Sequence, residues 1–123
     1  MPTVALTVWG SRISPVFESA SRIRLVHVVG QGPQVLAEMS LPAEILSRIA
    51  LLREQKVSVL ICGAISGLQA SIIRAWEIEL IPFVAGEVNN VIAGYIHGRL
   101  NSDQYFMPGC SGRHKRRRRR GRG

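Results

Sequence analysis

Aspartate is almost missing from this 123-residue chain: Asp103 is its one example, and it lies near the C-terminus. Two-metal phosphodiester cleavage needs several carboxylates converging on the ions. The strand-like segments VALTVWG, VLICGA and IPFVAG carry neither Asp nor Glu, which excludes a metal-dependent nuclease. Cysteine is scarce as well. Cys62 and Cys110 are too few and too widely spaced for a disulfide framework. There is no Walker-type phosphate loop and no GxGxxG, and no apolar run reaches the roughly 20 residues that span a bilayer. No charged-then-apolar leader opens the chain. His27, His97 and His114 sit on unrelated segments, and none supplies a sequence-local base to a thiol or hydroxyl. These absences point away from an enzyme and a membrane protein, and toward a binding protein of the reducing cytoplasm.

What is present is unevenly placed. The formal net charge is +8, and residues 113–123 hold eight basic residues and no acidic one. The body is therefore neutral, and the whole excess belongs to the ending RHKRRRRRGRG. A neutral body with a cationic appendage differs from a protein with a basic binding face. Such a run attracts phosphate backbones or an acidic partner in a salt-dependent way, with little sequence preference. It carries no interleaved aromatic residue for stacking on bases.

Along the chain, TVALTVW reads as a strand closed by Gly10, and GSRISPVFESAS as a polar stretch anchored by Val16 and Phe17. RIRLVHVV and QVLAEMS, separated by GQGP, read as an antiparallel hairpin, with His27 in register with Ile23 and Leu25. The period then changes. LPAEILSRIALLREQK sets Ile45, Leu46, Ile49 and Leu52 on one apolar stripe, with Arg48 off it, and Pro42 suits a first helical turn. VSVLICG is a short apolar run suited to a central parallel strand. SGLQASIIRAWE follows as a helix, IELIPFVAG as a strand that Pro82 keeps short, at an edge or bent, and EVNNVIAGYIHGRL as a final helix. Its stripe is Val88, Val91, Ile92, Tyr95 and Ile96. The order βββαβαβα predicts an α/β fold with a mixed five-stranded sheet and three helices, a ribonuclease H-like topology. Residues 1–106 form the domain. Residues 107–123 form a Gly/Arg-rich basic tail, whose composition predicts disorder in isolation.

In a parallel sheet, ligands sit beyond the carboxyl ends of the strands. That position is occupied by CGAISG, Cys62 to Gly67, a thiol with two glycines and a serine ahead of a helix N-terminus. Ser11 and Arg12, after the first strand, offer further donors. Together these residues suit an anion, although a cysteine at a strand end is most often a small buried hydrophobe. Cys110 and His114, four apart in PGCSGRH, supply two more metal-ligating groups. A closed zinc site wants four ligands, and Cys62 would bring the count to three.

The order of motifs then adds a resemblance. VALTVW, ISPVFESAS, VLICGAISG and IELIPFVAGEVNNVIAGYIHGRL, covering nearly all of residues 3–100, together resemble the dinitrogenase iron–molybdenum cofactor biosynthesis family. This is the NifX-like domain, found also at the C-terminus of NifB-type proteins. FMPGCSGRH followed by arginines is similar to the tails of some members. The resemblance implies a ribonuclease H-like fold without nuclease activity, and a carrier of anionic iron–sulfur or molybdenum–iron–sulfur clusters. Ser14, Pro15, Phe17 and Ala20 match the family's segment after the first strand, and Cys62, Gly63 and Ile65 its second loop. Residues and resemblance together give a candidate site of Cys62, Gly63, Ala64, Ile65, Ser66, Gly67, Ser11 and Arg12, with Cys62, Cys110 and His114 as candidate metal ligands. Its partners would be the proteins that donate and accept the cluster. The alternative is a nucleic-acid-associated or regulatory protein acting through its arginines. Monomer and dimer are both compatible with the sequence.

Overall fold

The computed structural model describes residues 3–30, 32–100 and 105–107. One mixed sheet runs through it, in the order β4-β3-β1-β5-β6. β1 (Thr3–Trp9) is its centre, and alternates cleanly between two cores. Ala5 faces one apolar cluster, while Val4, Leu6 and Val8 face the other. On one side β1 pairs antiparallel with β3 (Arg22–Val29), which pairs antiparallel with β4 (Gly32–Ser40), as the hairpin pattern predicts. On the other side β1 pairs parallel with β5 (Val59–Ile61), and β5 with β6 (Glu79–Ile81). β6 is both short and an edge, and Pro82 follows it directly. Among the described residues the sheet has six strands rather than five. The additional one is β2 (Arg12–Ile13), a two-residue strand folded back on the end of β1 through Val8 and Trp9.

Helices cover both faces. α1 (Ile45–Glu54) and α2 (Gly67–Ala75) pack Ile49, Leu52, Ala70 and Ile73 into the first cluster. α3 (Val88–Ile96) packs Val88, Val91 and Ile92 into the second, with Tyr95 and Ile96 half-buried beside them. Each of the parallel strands therefore has apolar side chains on both faces, which is why β5 reads as an unbroken apolar run. Among the described residues no helix is long and apolar enough to cross a membrane.

One part of the predicted α1 stripe needs correction. Leu46 is 63% exposed, whereas Arg48 is 3% exposed. The buried face is Ile45, Arg48, Ile49 and Leu52, at steps i, i+3, i+4 and i+7, so a cation occupies a core position.

Candidate functional site

Three loops gather at the carboxyl ends of the parallel strands: residues 10–21 after β1, 62–66 after β5 and 82–87 after β6. Main-chain hydrogen bonds zip them together. Phe17 N–H donates to Ala64 O and Ala64 N–H to Pro15 O, both at 2.8 Å. Phe83 N–H donates to Gly63 O at 2.8 Å and Val84 N–H to Cys62 O at 3.0 Å. Ile13 N–H reaches Gly86 O at 2.9 Å, and Val88 N–H reaches Ser11 O at 2.8 Å. Many of the amides that the sequence offers to an anion are thus already engaged with neighbouring loops.

The predicted site residues divide accordingly. Gly63, Ala64 and Ser66 meet residues 14–18, whereas Ser11, in the turn before β2, and Arg12, on β2, lie exposed and meet Glu87 and Val88 at the start of α3 instead. Ile65 is 8% exposed and belongs to the first core. Cys62 does too, at 0% exposure, with its thiol donating to Gly63 O at 3.5 Å. Parity explains this. Cys62 continues the β5 ladder through Cys62 N–H to Ile81 O, and two residues earlier Leu60 faces the same cluster. In this conformation the sulfur faces the core and not the loops, so the expected thiolate at the strand end is absent from the surface. Cys110 and His114 lie outside the described residues. Among the described residues no three His, Cys, Asp or Glu side chains converge as metal ligands.

The N-terminus of α2, expected to receive an anionic ligand, receives two internal acceptors. Ser66 caps it, its hydroxyl accepting from Gln69 N–H at 3.2 Å. Glu18 reaches across to accept from Ser66 N–H at 2.9 Å. Partial burial works to raise the Glu18 pKa, but hydrogen bonds from Ser66 and from its own amide, together with the Arg48 charge, hold it below its ordinary value of 4.5. Because the folded pKa is the lower one, this carboxylate stabilises the fold above the unfolded value. That contribution is lost as pH falls through the folded value. Glu18→Gln is therefore expected to flatten the acid limb of the stability curve below about pH 4.5, as measured by urea titrations at several pH values.

Arg48 holds the first loop from below. Its guanidinium donates to Pro42 O and Phe17 O, to Ala20 O at 2.7 Å and to Glu18 O at 3.3 Å, and its Cζ lies 4.8 Å from the centre of the Phe17 ring. Burial pushes its pKa down from the ordinary value, and Glu18 partly offsets that. A planar fork of donors can meet carbonyls on two sides at once, which an ammonium cannot. The sequence reading missed Arg48 because it classed stripe positions by apolar type alone. It missed Glu18 because nothing local links residues 18 and 66.

Beside this loop lies a cavity of about 290 Å³ lined by Val8, Trp9, Ser14, Pro15, Ser19, Ala20 and Ser21. Trp9 is 73% exposed at its rim. The end of the described chain returns to the same carboxyl end of the parallel strands, on the α3 face. Ala85 N–H donates to Tyr105 O at 2.9 Å, Met107 N–H donates to Phe83 O at 2.8 Å, and Phe106 bridges Val84. Gly94 makes room for this return, since a Cβ there would stand 2.7 Å from Cζ of Tyr105.

Comparison with known proteins adds a family and a set of similar folds. A family model described as dinitrogenase iron-molybdenum cofactor matches residues 1–98. The crystal structure of PH0822 superposes with a TM-score of 0.72 at 16% identity, covering 80% of this chain and 92% of that one. MJ0327 of Methanocaldococcus jannaschii, provisionally named a dinitrogenase, gives 0.62 at 21% identity, over 79% and 89% of the two chains. TM1290 of Thermotoga, provisionally named a NifB protein and placed in the DUF35 family, gives 0.59 at 18%, over 80% and 90%. At these identities the likeness is one of fold. None of the curated proteins matches the chain.

Proposed function

Because the chain belongs to the dinitrogenase iron-molybdenum cofactor family, we propose that it is a non-catalytic carrier of an anionic metal–sulfur cluster in cofactor biosynthesis. The cargo is of the iron–sulfur or molybdenum–iron–sulfur type, and it is held at the loop-bearing edge of the sheet. The observation that carries this reading is the anchoring of residues 105–107 on the loop after β6. Cys110 is three residues beyond Met107. At roughly 3.3–3.6 Å per extended residue its thiolate has a reach of about 10 Å from that anchor. With the Cys62 sulfur turned into the core, the soft ligand is Cys110, with His114 as the second. Exposed Arg12 on β2 and the cationic run from residue 113 supply the complementary charge. A site with so few protein ligands leaves coordination positions for the proteins that donate and accept the cargo, which suits a carrier.

The same reading extends to the fold. With the two-residue β2 set aside, the long strands follow the chain order 3-2-1-4-5 with the second one antiparallel to the rest, and this supports a ribonuclease H-like assignment.

The test is anaerobic titration of the full chain with an iron–sulfur cluster or with thiomolybdate, read by charge-transfer absorbance. Cys110→Ala is expected to lower the bound cluster at least several-fold. Cys62→Ala is expected to lower thermal stability while leaving the absorbance of the folded fraction unchanged. Equal binding by the wild type and Cys110→Ala would overturn the assignment.

A further inference from the structure

The hairpin of β1 and β2 pairs Val8 with Ile13 and Trp9 with Arg12. The next step of the same ladder brings Ser14 N–H to Thr7 O at 2.9 Å. Val8 and Ile13 turn to the second cluster, so Thr7, Trp9, Arg12 and Ser14 share the opposite face, that of α1 and α2. There Trp9 and Ser14 line the cavity of about 290 Å³ together with Ser19 and Ser21. Its polar groups are not used by the fold. Ser14 is 5% exposed, and its hydroxyl has no hydrogen-bond partner among the described residues. Thr7, directly across the ladder, is fully buried, and its Oγ1 has no partner either. Alanine and valine would fill the same space without the cost of unsatisfied hydroxyls, which mark a place where a partner is missing. At the rim the Trp9 ring is 73% exposed. Among the described residues no charged side chain lines the cavity. Glu18 is turned to Ser66 N–H and Arg22 to Glu38, while Arg12 stands opposite Trp9 without joining the lining.

We propose that this cavity binds a purine base, carried by a nucleoside or a nucleoside monophosphate. The exposed indole of Trp9 supplies a stacking face, and its fused bicycle matches a purine in area. Hydroxyls both donate and accept, so Ser14, Ser19 and Ser21 suit the mixed donor and acceptor edge of a base. A ligand N–H donated to Ser14 Oγ would turn the serine hydrogen toward Thr7 Oγ1 and satisfy both orphans at once. The volume lies at the small end of ligand pockets, which fits one ring system and not an extended chain. A saccharide fits less well. It would bring several hydroxyls that each need a partner, and the wall offers few. The uncharged lining makes the base the recognised part, with a phosphate adding only what exposed Arg12 provides. The site is separate from the proposed cargo seat, since Tyr105 and Phe106 pack on the α3 face.

Calorimetric titration of the full chain with guanosine, adenosine and their monophosphates, to millimolar concentration, tests this. Fluorescence of the Trp76→Phe variant, in which Trp9 is the remaining tryptophan, locates the event. The expected result is saturable binding that quenches Trp9, with nucleoside and monophosphate within about five-fold of one another. Trp9→Ala is expected to weaken binding at least about 10-fold. Ser14→Ala is expected to weaken it about three- to ten-fold while the melting temperature stays level or rises, because an unsatisfied hydroxyl has been removed. A hydroxyl that serves the fold alone gives the reverse, a lower melting temperature with binding unchanged, and that result overturns the proposal. So does the absence of saturable binding by all of these probes, or binding that Trp9→Ala leaves intact. Displacement of guanosine by ribose 5-phosphate and not by adenosine overturns it as well. Cys110→Ala is expected to bind the nucleosides as the wild type does, so this proposal and the carrier assignment stand or fall separately.

Discussion

Gly63→Ala is expected to cost about 3–5 kcal/mol or to prevent folding outright, although the substitution adds one methyl group. The reason is steric and not conformational. A Cβ at Gly63 would fall on the carbonyl oxygens of Ser14 and Pro15, and 2.7 Å from the Pro15 carbonyl carbon. Those are backbone atoms, fixed by the Ala64 N–H to Pro15 O bond and by the Val16–Ala64 bridge, so they cannot yield as a flexible side chain would. The loops after β1 and β5 would have to separate, exposing Phe17, which is now 1% exposed. Gly67→Ala provides the control, because nothing lies within 4 Å of a Cβ there. In the first turn of α2 it is expected to be neutral or stabilising by up to about 1 kcal/mol. Chemical denaturation of the two variants side by side checks both. A Gly63→Ala protein as stable as Gly67→Ala would mean that the loops are not in contact.

The second large effect is expected at Arg48. Arg48→Met keeps much of the side-chain volume but strips the Ala20 and Pro42 carbonyls of their guanidinium donor and leaves Phe17 O with the Ala20 N–H alone. Each buried carbonyl left without a donor costs about 1–3 kcal/mol, and the total expected is on the order of 3–5 kcal/mol. Arg48→Lys should recover less than half, since one ammonium cannot satisfy carbonyls arranged around a planar fork. Arg53→Met sets the scale. Arg53 is exposed and stacks 4.6 Å from the Trp76 ring, and its loss should cost about 0.5–1 kcal/mol. Hydrogen exchange adds a readout specific to position: the Phe17 and Ala64 amides should lose protection in Arg48→Met at denaturant concentrations where β1 amides remain protected. Uniform loss across the sheet would mean that Arg48 supports the core generally and not the first loop in particular.

Much of the architecture could be read in advance because it rests on periodicity. The hairpin of β3 and β4, the buried run of β5, the α3 stripe and the short edge strand before Pro82 all follow from side-chain alternation and the missing proline donor. β2 could not be read, since two residues carry no period. The site was less legible, for two separate reasons. Loop residues were judged by the groups they bear, but their amides are engaged by segments about 50 residues away, and main-chain pairing of that kind leaves no mark on composition. Cys62 could have been placed correctly: counting from Leu60 puts its side chain on the face of α1 and α2. Arg48 could also have been found by phase alone, at i+3 from Ile45, by asking which face the helix buries before asking whether a residue is apolar.

Phe83 holds a left-handed backbone, φ 63°, which suits glycine and costs a bulky residue about 1–3 kcal/mol. Its amide hydrogen is bound to Gly63 O and its own oxygen receives Met107 N–H. One residue therefore fastens both the neighbouring loop and the returning end of the chain. If its dihedral relaxes, the two attachments are released in a single event. That residue works as a shared pin, tying the seat of residues 105–107 to the loop after β5 through a single backbone position.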